Sequence, residues 1–357
     1  MPAIVYSALK PIRYPGHLRA IGVGEVPPPV HVRIKPTNVC NHSCWFCAYR
    51  SDSVSLGGGM NERDRIPREK MREVVEDLTE LGVEAVTFSG GGEPLIYPFV
   101  VETVERLGEG GIRIGALSSG SMLKGKVADA FARHATWLRV SIDGWDGPSY
   151  AKSRSVDVGE FDKVIGNLAV FSDRNSRCSL GASIIVDQAN ASHLLELCTI
   201  LKHAGVSHVK IAPCIIRDSG ADNNAYHNGF EPVVRAQVEL IRGLEDGHFR
   251  VNEHYHALGD RFDRPEQRCP MAYLLTIIGA DQVVYTCQDR AYTEGGALGS
   301  IRDRRFRDFW RSAETKAALA AIDPSRDRRH HCVASTKNER ILEYLSLDRE
   351  HARFVRR

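Results

Sequence analysis

From Val30 onward, short β-branched runs alternate with stretches of helical periodicity, and this alternation constrains the fold more than any other feature of the chain. Strands are predicted over 30–34, 84–88, 112–117, 137–142, 179–186 and 207–212. Helices are predicted over 67–81, 98–109, 123–134, 160–172, 190–204 and 230–246, with Pro67 suited to a first turn and Gly82 to a helix stop. Consecutive β/α units favour parallel strands joined by right-handed crossovers. Six such units are too few to close an eight-stranded barrel, so the predicted fold is α/β, a partial (β/α)6 TIM-like barrel.

Three regions follow from the same pattern. Residues 1–29, rich in Pro and Gly and ending in Pro27-Pro28-Pro29, read as an arm that packs irregularly before the first strand. Residues 30–250 form the partial barrel. Residues 251–357 change to hairpin-like pieces at 273–278 and 282–286, then helices near 303–312 and 337–345, and read as a small auxiliary domain organised by its cysteines. With 29 residues ahead of the first strand, an independently folding recognition module is not expected there.

Composition narrows the setting. A net charge of +2 with 26% charged residues carries no polyanion signal, so nucleic acid is not an expected partner. The longest apolar-looking run, near Tyr273 to Ala280, is too short to cross a bilayer, and the first twenty residues lack a signal-peptide core. A cytoplasmic location and no membrane are therefore expected. Nine cysteines, an odd number spread through a long chain, point to metal or redox work rather than a disulfide framework.

Three of them, Cys40, Cys44 and Cys47, stand at C-x3-C-x2-C spacing on the loop after the first predicted strand. Three soft ligands on one loop can hold three corners of an iron–sulfur cluster and leave one position open. A closed structural zinc site wants a fourth ligand nearby. The second strand runs into Gly90-Gly91-Gly92-Glu93, where glycines permit a tight turn close to a ligand and Glu93 offers an anion. Strand three ends in Ser118-Ser119-Gly120-Ser121, which as residues alone reads equally as a helix N-cap. Strand four ends in Ser141-Ile142-Asp143-Gly144, trailed by Arg154, which is either a carboxylate-binding fork or a surface charge.

This arrangement resembles the radical S-adenosylmethionine (SAM) superfamily. The resemblance implies that Cys40, Cys44 and Cys47 bind a [4Fe-4S] cluster whose fourth iron chelates SAM. It further implies that Phe46 lies beside the adenine, unless it is an apolar plug over the cluster. Gly90, Gly91, Gly92 and Glu93 would meet the SAM amino group, Ser119 would lie near the ribose, and Ser141, Asp143 and Arg154 would hold ribose and carboxylate. An electron donor such as flavodoxin or ferredoxin would reduce the cluster, and SAM would yield a 5′-deoxyadenosyl radical that takes hydrogen from the substrate.

Cys269, Cys287 and Cys332 form a second set, with Leu298-Gly299-Ser300-Ile301 and Phe309-Trp310 between. It is similar to the auxiliary-cluster extensions called SPASM and twitch, although Gln282 and Ser300 replace the usual Gly and Asn. The resemblance implies a second [4Fe-4S] cluster. A zinc with three Cys and one His remains the alternative, and His330 and His331 are either ligands or part of a basic turn. The basic tail through Arg353, Arg356 and Arg357 reads as solvated surface.

Cys214 ends the sixth strand and is either an inert thiol or a hydrogen-atom donor to a substrate radical, whereas Cys178 and Cys198 read as core thiols. The expected activity is that of a radical SAM oxidoreductase acting on a small polar molecule of sugar, aminocyclitol or nucleoside type, by dehydrogenation or epimerisation. The alternatives are a maturase of a ribosomal peptide and a non-enzymatic iron–sulfur redox protein.

Overall fold

A computed structural model describes residues 7–174, 176–255, 262, 264–326, 331–348 and 350. Seven strands, β1 (His31–Ile34), β2 (Ala85–Phe88), β3 (Arg113–Ser118), β4 (Ala135–Ser141), β5 (Ser179–Val186), β6 (His208–Pro213) and β7 (Arg250–Glu253), lie side by side in chain order. Every neighbouring pair among them is parallel. Parallel pairing of consecutive strands demands a crossover each time, supplied here by α2 (Arg68–Glu80), α3 (Val100–Glu109), α4 (Gly125–His134), α6 (Glu160–Ser172), α7 (Leu194–His203) and α8 (Glu231–Arg242). The expected partial β/α barrel is present, with its six predicted strands in place. Strand β7 was not expected, because its sequence Arg-Val-Asn-Glu carries no apolar run; it takes its place by pairing with β6.

The C-terminal hairpin does not stand apart. Strand β8 (Leu275–Ile278) pairs parallel with β1, from His31 opposite Leu275 to Ile34 opposite Ile278, and β9 (Val283–Tyr285) and β10 (Ala297–Ser300) follow antiparallel. One ten-stranded sheet therefore runs β10-β9-β8-β1-β2-β3-β4-β5-β6-β7. At the β8–β9 turn Gln282 adopts φ +65°, the left-handed region, at the position where a glycine would sit without strain.

The stretch before β1 is more ordered than its Pro and Gly content suggests. Pro15 occupies the first turn of a helix, α1 (Pro15–Gly22), which buries Leu18 and Ile21. Trp310, in the helix Phe306–Trp310, is fully buried and donates its indole N–H to the Pro27 carbonyl at 2.8 Å. Asp77 of α2, also buried, accepts from the Arg305 guanidinium at 2.7 Å and the Arg307 N–H at 3.3 Å. These contacts fasten the C-terminal helices to the barrel. Among the described residues no helix is long and apolar enough to cross a membrane.

Candidate functional site

The cysteine loop hangs from the end of β1 and is gripped by three neighbours. The N–H groups of Ser43 and Trp45 donate to the carbonyls of Arg154 and Ser153, at the end of α5 (Gly147–Arg154), at 2.9 and 3.3 Å. Gly92 and Glu93 donate their N–H groups to Thr37 and Val39 at 3.0 and 2.9 Å. Arg50 donates from its guanidinium to the carbonyls of Asn38 and His42, each at 3.2 Å. All nine cysteines are free thiols. Burial pushes the Cys40 thiol up to about 11 and raises that of Cys44 as well.

The glycines after β2 are required by contact rather than by backbone angle. A Cβ at Gly92 would fall 2.5 Å from the carbonyl carbon of Asn38, and one at Gly91 would meet the Asn38 side chain. The turn thus lies directly against the loop that carries the thiols. Glu93, by contrast, spends its carboxylate inside the protein. It accepts from Leu95 N–H at 2.9 Å, Ser118 hydroxyl at 2.7 Å and Ser119 N–H at 2.6 Å, and so ties the turns after β2 and β3 together. Ser118 to Ser121 do not cap a helix, since the residue before α4 is Lys124 with no side-chain cap. Instead Asn41 of the cysteine loop donates to Ser121 Oγ at 2.6 Å, and Ser119 Oγ lies 3.2 Å from it.

Arg154 is not a surface charge. Its side chain is 4% exposed and pairs with Asp143, itself 2% exposed, while donating to Ser141 Oγ at 2.9 Å and to the Cys44 sulfur at 3.6 Å. Its guanidinium carbon also lies 5.7 Å from the Phe46 ring. Asp143 is fixed from the other side by the Ile185 N–H at 2.6 Å. Ser141, Asp143, Arg154, Phe46 and Cys44 therefore meet at one place. An Arg N–H aimed at Cys44 would orient that sulfur and stabilise it as a thiolate ligand.

Cys269, Cys287 and Cys332 line one pocket, together with Arg33, Arg264, Asp289, Arg290 and Lys337. Burial pushes Cys269 up to about 11 and raises Cys287 and Cys332. Asn338, in the helix Ser335–Ser346, donates to the Cys269 sulfur at 3.4 Å. Among the described residues no three His, Cys, Asp or Glu side chains are placed to share a single metal ion. The single zinc of the alternative would need its sulfurs within about 4 Å of one another, given a Zn–S distance near 2.3 Å. His330, Arg328, Arg329 and the tail beyond residue 350 lie outside the described residues.

Cys214 sits just past β6, 1% exposed, with its N–H on the Val186 carbonyl at 3.0 Å; burial first, then Asp187 and Asp143, raises its thiol. It is not among the residues lining the second cavity. Cys178 and Cys198 are buried, each pushed up to about 12 by burial.

Lys35, which no sequence motif singles out, ends up wholly buried between the two cysteine sites. Arg33 and Arg264 of the second cavity are likewise outside every motif. For Arg33 and Lys35 the available signal was a cation within the apolar run Val-Arg-Ile-Lys.

Curated relatives match only part of this chain. A GTP 3′,8-cyclase of Aeromonas hydrophila is 28% identical over 118 residues, 32% of this chain and 34% of that protein. An S-adenosylmethionine-dependent nucleotide dehydratase of Flammeovirga pacifica is 28% identical over 104 residues, 29% of this chain and 35% of its own length. This chain thus spans about a third of those relatives. Among solved structures, Streptococcus suis SuiB bound to S-adenosylmethionine superposes with a TM-score of 0.60 at 14% identity, covering 82% of this chain and 67% of SuiB. The structure of native anSMEcpe with bound AdoMet gives a TM-score of 0.56 at 16% identity, covering 88% of this chain and 96% of that one. Both support the same partial-barrel fold. Residues 34–201, the span holding the three-cysteine loop, the Gly90–Glu93 turn and the Asp143–Arg154 pair, match the profile of the Radical SAM superfamily.

Proposed function

We propose that this protein is a radical SAM oxidoreductase acting on a small polar, anionic substrate of nucleoside type, held at the second cysteine site. The carrying observation is the composition of the second cavity, where three cysteines from distant parts of the chain meet a set of cations. Arg264 is 5% exposed, and its Nε and one Nη are buried without a partner. Unpaired guanidinium N–H groups in a buried place are costly unless an anion receives them. The names of the relatives, a GTP cyclase and a nucleotide dehydratase, favour a nucleotide among the substrate classes.

Cys40, Cys44 and Cys47 would hold the [4Fe-4S] cluster, with Gly90–Gly92 and Ser141 beside bound SAM. When bound, cluster and SAM supply a one-electron cleavage and a 5′-deoxyadenosyl radical able to take hydrogen from an unactivated carbon. An external carrier such as flavodoxin or ferredoxin would deliver the electron. The protein's part is positional: Glu93 fixes two strand-end turns against each other, and the Asp143–Arg154 pair braces the loop behind Cys44. Cys269, Cys287 and Cys332 would hold an auxiliary cluster able to accept the substrate's electron, which gives net dehydrogenation. Epimerisation is the second outcome and would need a hydrogen-atom donor such as Cys214, which is not among the residues lining the second cavity. An iron–sulfur carrier without enzymatic activity would have no use for the buried Asp143–Arg154 pair beside Cys44.

Iron and sulfide counting on anaerobically reconstituted protein tests the reading. About eight irons per chain are expected, and about four after Cys269, Cys287 and Cys332 are changed to Ala. An unchanged count in the triple variant overturns the second site. For the substrate class, nucleoside triphosphates should accelerate 5′-deoxyadenosine formation more than the free nucleosides, and Arg264→Met should remove the difference.

A further inference from the structure

We propose that Lys35 is a positioning residue that locks the SAM-binding turn against the second cysteine site; this rests on the two-site reading above. Lys35 follows β1 directly and its N–H donates to the Ile278 carbonyl of β8 at 2.8 Å. Its side chain is 0% exposed. The ammonium donates to three acceptors from three separate segments: the Gly90 carbonyl in the turn after β2, the Tyr49 hydroxyl at 2.8 Å, and Gln288 Oε1 at 3.2 Å. Tyr49 stands two residues past Cys47, and Gln288 is the neighbour of Cys287. An ammonium has three donors and no acceptor, so this set is complete. The ring of Tyr49 adds a cation–π face 4.3 Å from Nζ. Gln288 closes the circuit, since its amide donates to Tyr49 Oη and its backbone carbonyl accepts from the Tyr49 hydroxyl at 3.3 Å.

Burying an ammonium costs several kcal/mol, and a well-packed apolar residue would serve stability as well or better. Burial and the neighbouring Arg33 push the Lys35 pKa down, and Cys47 and Asp289 oppose that shift. What the lysine provides, and an apolar residue cannot, is a fixed hydrogen-bonded geometry among three segments that do not pair directly with one another. A hydrogen taken at one site must come from a substrate held at the other. A misplacement near 1 Å is enough to cost about a hundredfold in such a transfer. The small apolar cluster of Ile277, Tyr285, Ala291 and Tyr292, against which Tyr49 packs, supports the same contact from below.

The test compares Lys35→Met, Gln288→Met and the double variant in reconstituted protein, with SAM as the probe. The readouts are the KM for SAM in dithionite-driven cleavage and the change that SAM makes in the EPR spectrum of the reduced first cluster. Lys35→Met should raise that KM at least tenfold, as expected for loss of hydrogen bonds to a charged group. Gln288→Met, although placed beside the second site, should raise it severalfold, and the double variant should be no worse than Lys35→Met alone. A Gln288→Met protein with wild-type KM and EPR response, or effects that multiply, overturns the proposal. If Lys35→Met fails to load iron, Tyr49→Phe removes one acceptor with little change of volume. A wild-type KM and EPR response in that protein likewise overturns the proposal. The wild-type iron count separates the two ideas: about four irons with a coupled Gln288 sinks the auxiliary cluster and leaves the positioning role standing.

Discussion

Gly92→Ala is the substitution whose effect follows most directly from distance. The added Cβ would lie 2.5 Å from the Asn38 carbonyl carbon, and ordinary contact begins at 3.4 Å, so turn and cysteine loop must separate by at least 0.9 Å (3.4 minus 2.5). The obstruction is backbone, with the Val39 carbonyl nearer still, so no side-chain rotation relieves it. The N–H bonds from Gly92 and Glu93 to Thr37 and Val39 would lengthen beyond useful range with it. Overpacking of this kind costs about 1–3 kcal/mol in stability, whereas a displacement near 1 Å between reacting partners costs about a hundredfold in rate. The expectation is therefore a protein that still loads iron at Cys40, Cys44 and Cys47 but releases 5′-deoxyadenosine about a hundredfold more slowly. Mass spectrometry of single-turnover reactions under dithionite measures it. Gly166→Ala in α6, where an added Cβ meets nothing within 4 Å, is the control and should match wild type. A Gly92→Ala protein cleaving SAM within threefold of wild type refutes the reasoning.

Three further outcomes are expected. Arg154→Met leaves Asp143 buried without its partner and should lower the unfolding free energy of the apoprotein by about 3–5 kcal/mol, with Arg154→Met/Asp143→Leu recovering part of it in denaturant titrations. Gln282→Gly should raise stability by about 1 kcal/mol, because a glycine takes φ +65° without strain. Burial holds the imidazoles of His31 and His208 at about 3 and about 4, below the unfolded 6.5. In the intervening pH range the unfolded chain binds protons that the folded chain does not. Stability should therefore fall with falling pH by up to about 1.4 kcal/mol per unit for each histidine, and His208→Gln should flatten the slope measured between pH 7 and 5.

The barrel and the first cysteine loop were legible because their signals are local. Period-two β-branched runs and period-3.6 helices write themselves into short windows, and Cys40, Cys44 and Cys47 share one loop. What escaped depends on contacts far apart in sequence. Strand β7 has no apolar signature and exists by pairing with β6, and β8 joins β1 across more than two hundred intervening residues. The inward turn of Glu93 could not be read either, since a carboxylate at a strand end serves an external ammonium or its own Ser118 and Ser119 equally well in sequence. Arg154 was placed in the right company, but only the fold reveals its burial against Asp143 and Cys44. No motif singled out Lys35, because its three acceptors come from positions 49, 90 and 288.

The measurement that bears most directly on the whole account is the release of 5′-deoxyadenosine from anaerobically reconstituted protein given SAM and dithionite. 5′-Deoxyadenosine should appear with the wild type and be lost when Cys40, Cys44 and Cys47 are changed to Ala. Intact iron loading with no SAM cleavage would contradict this.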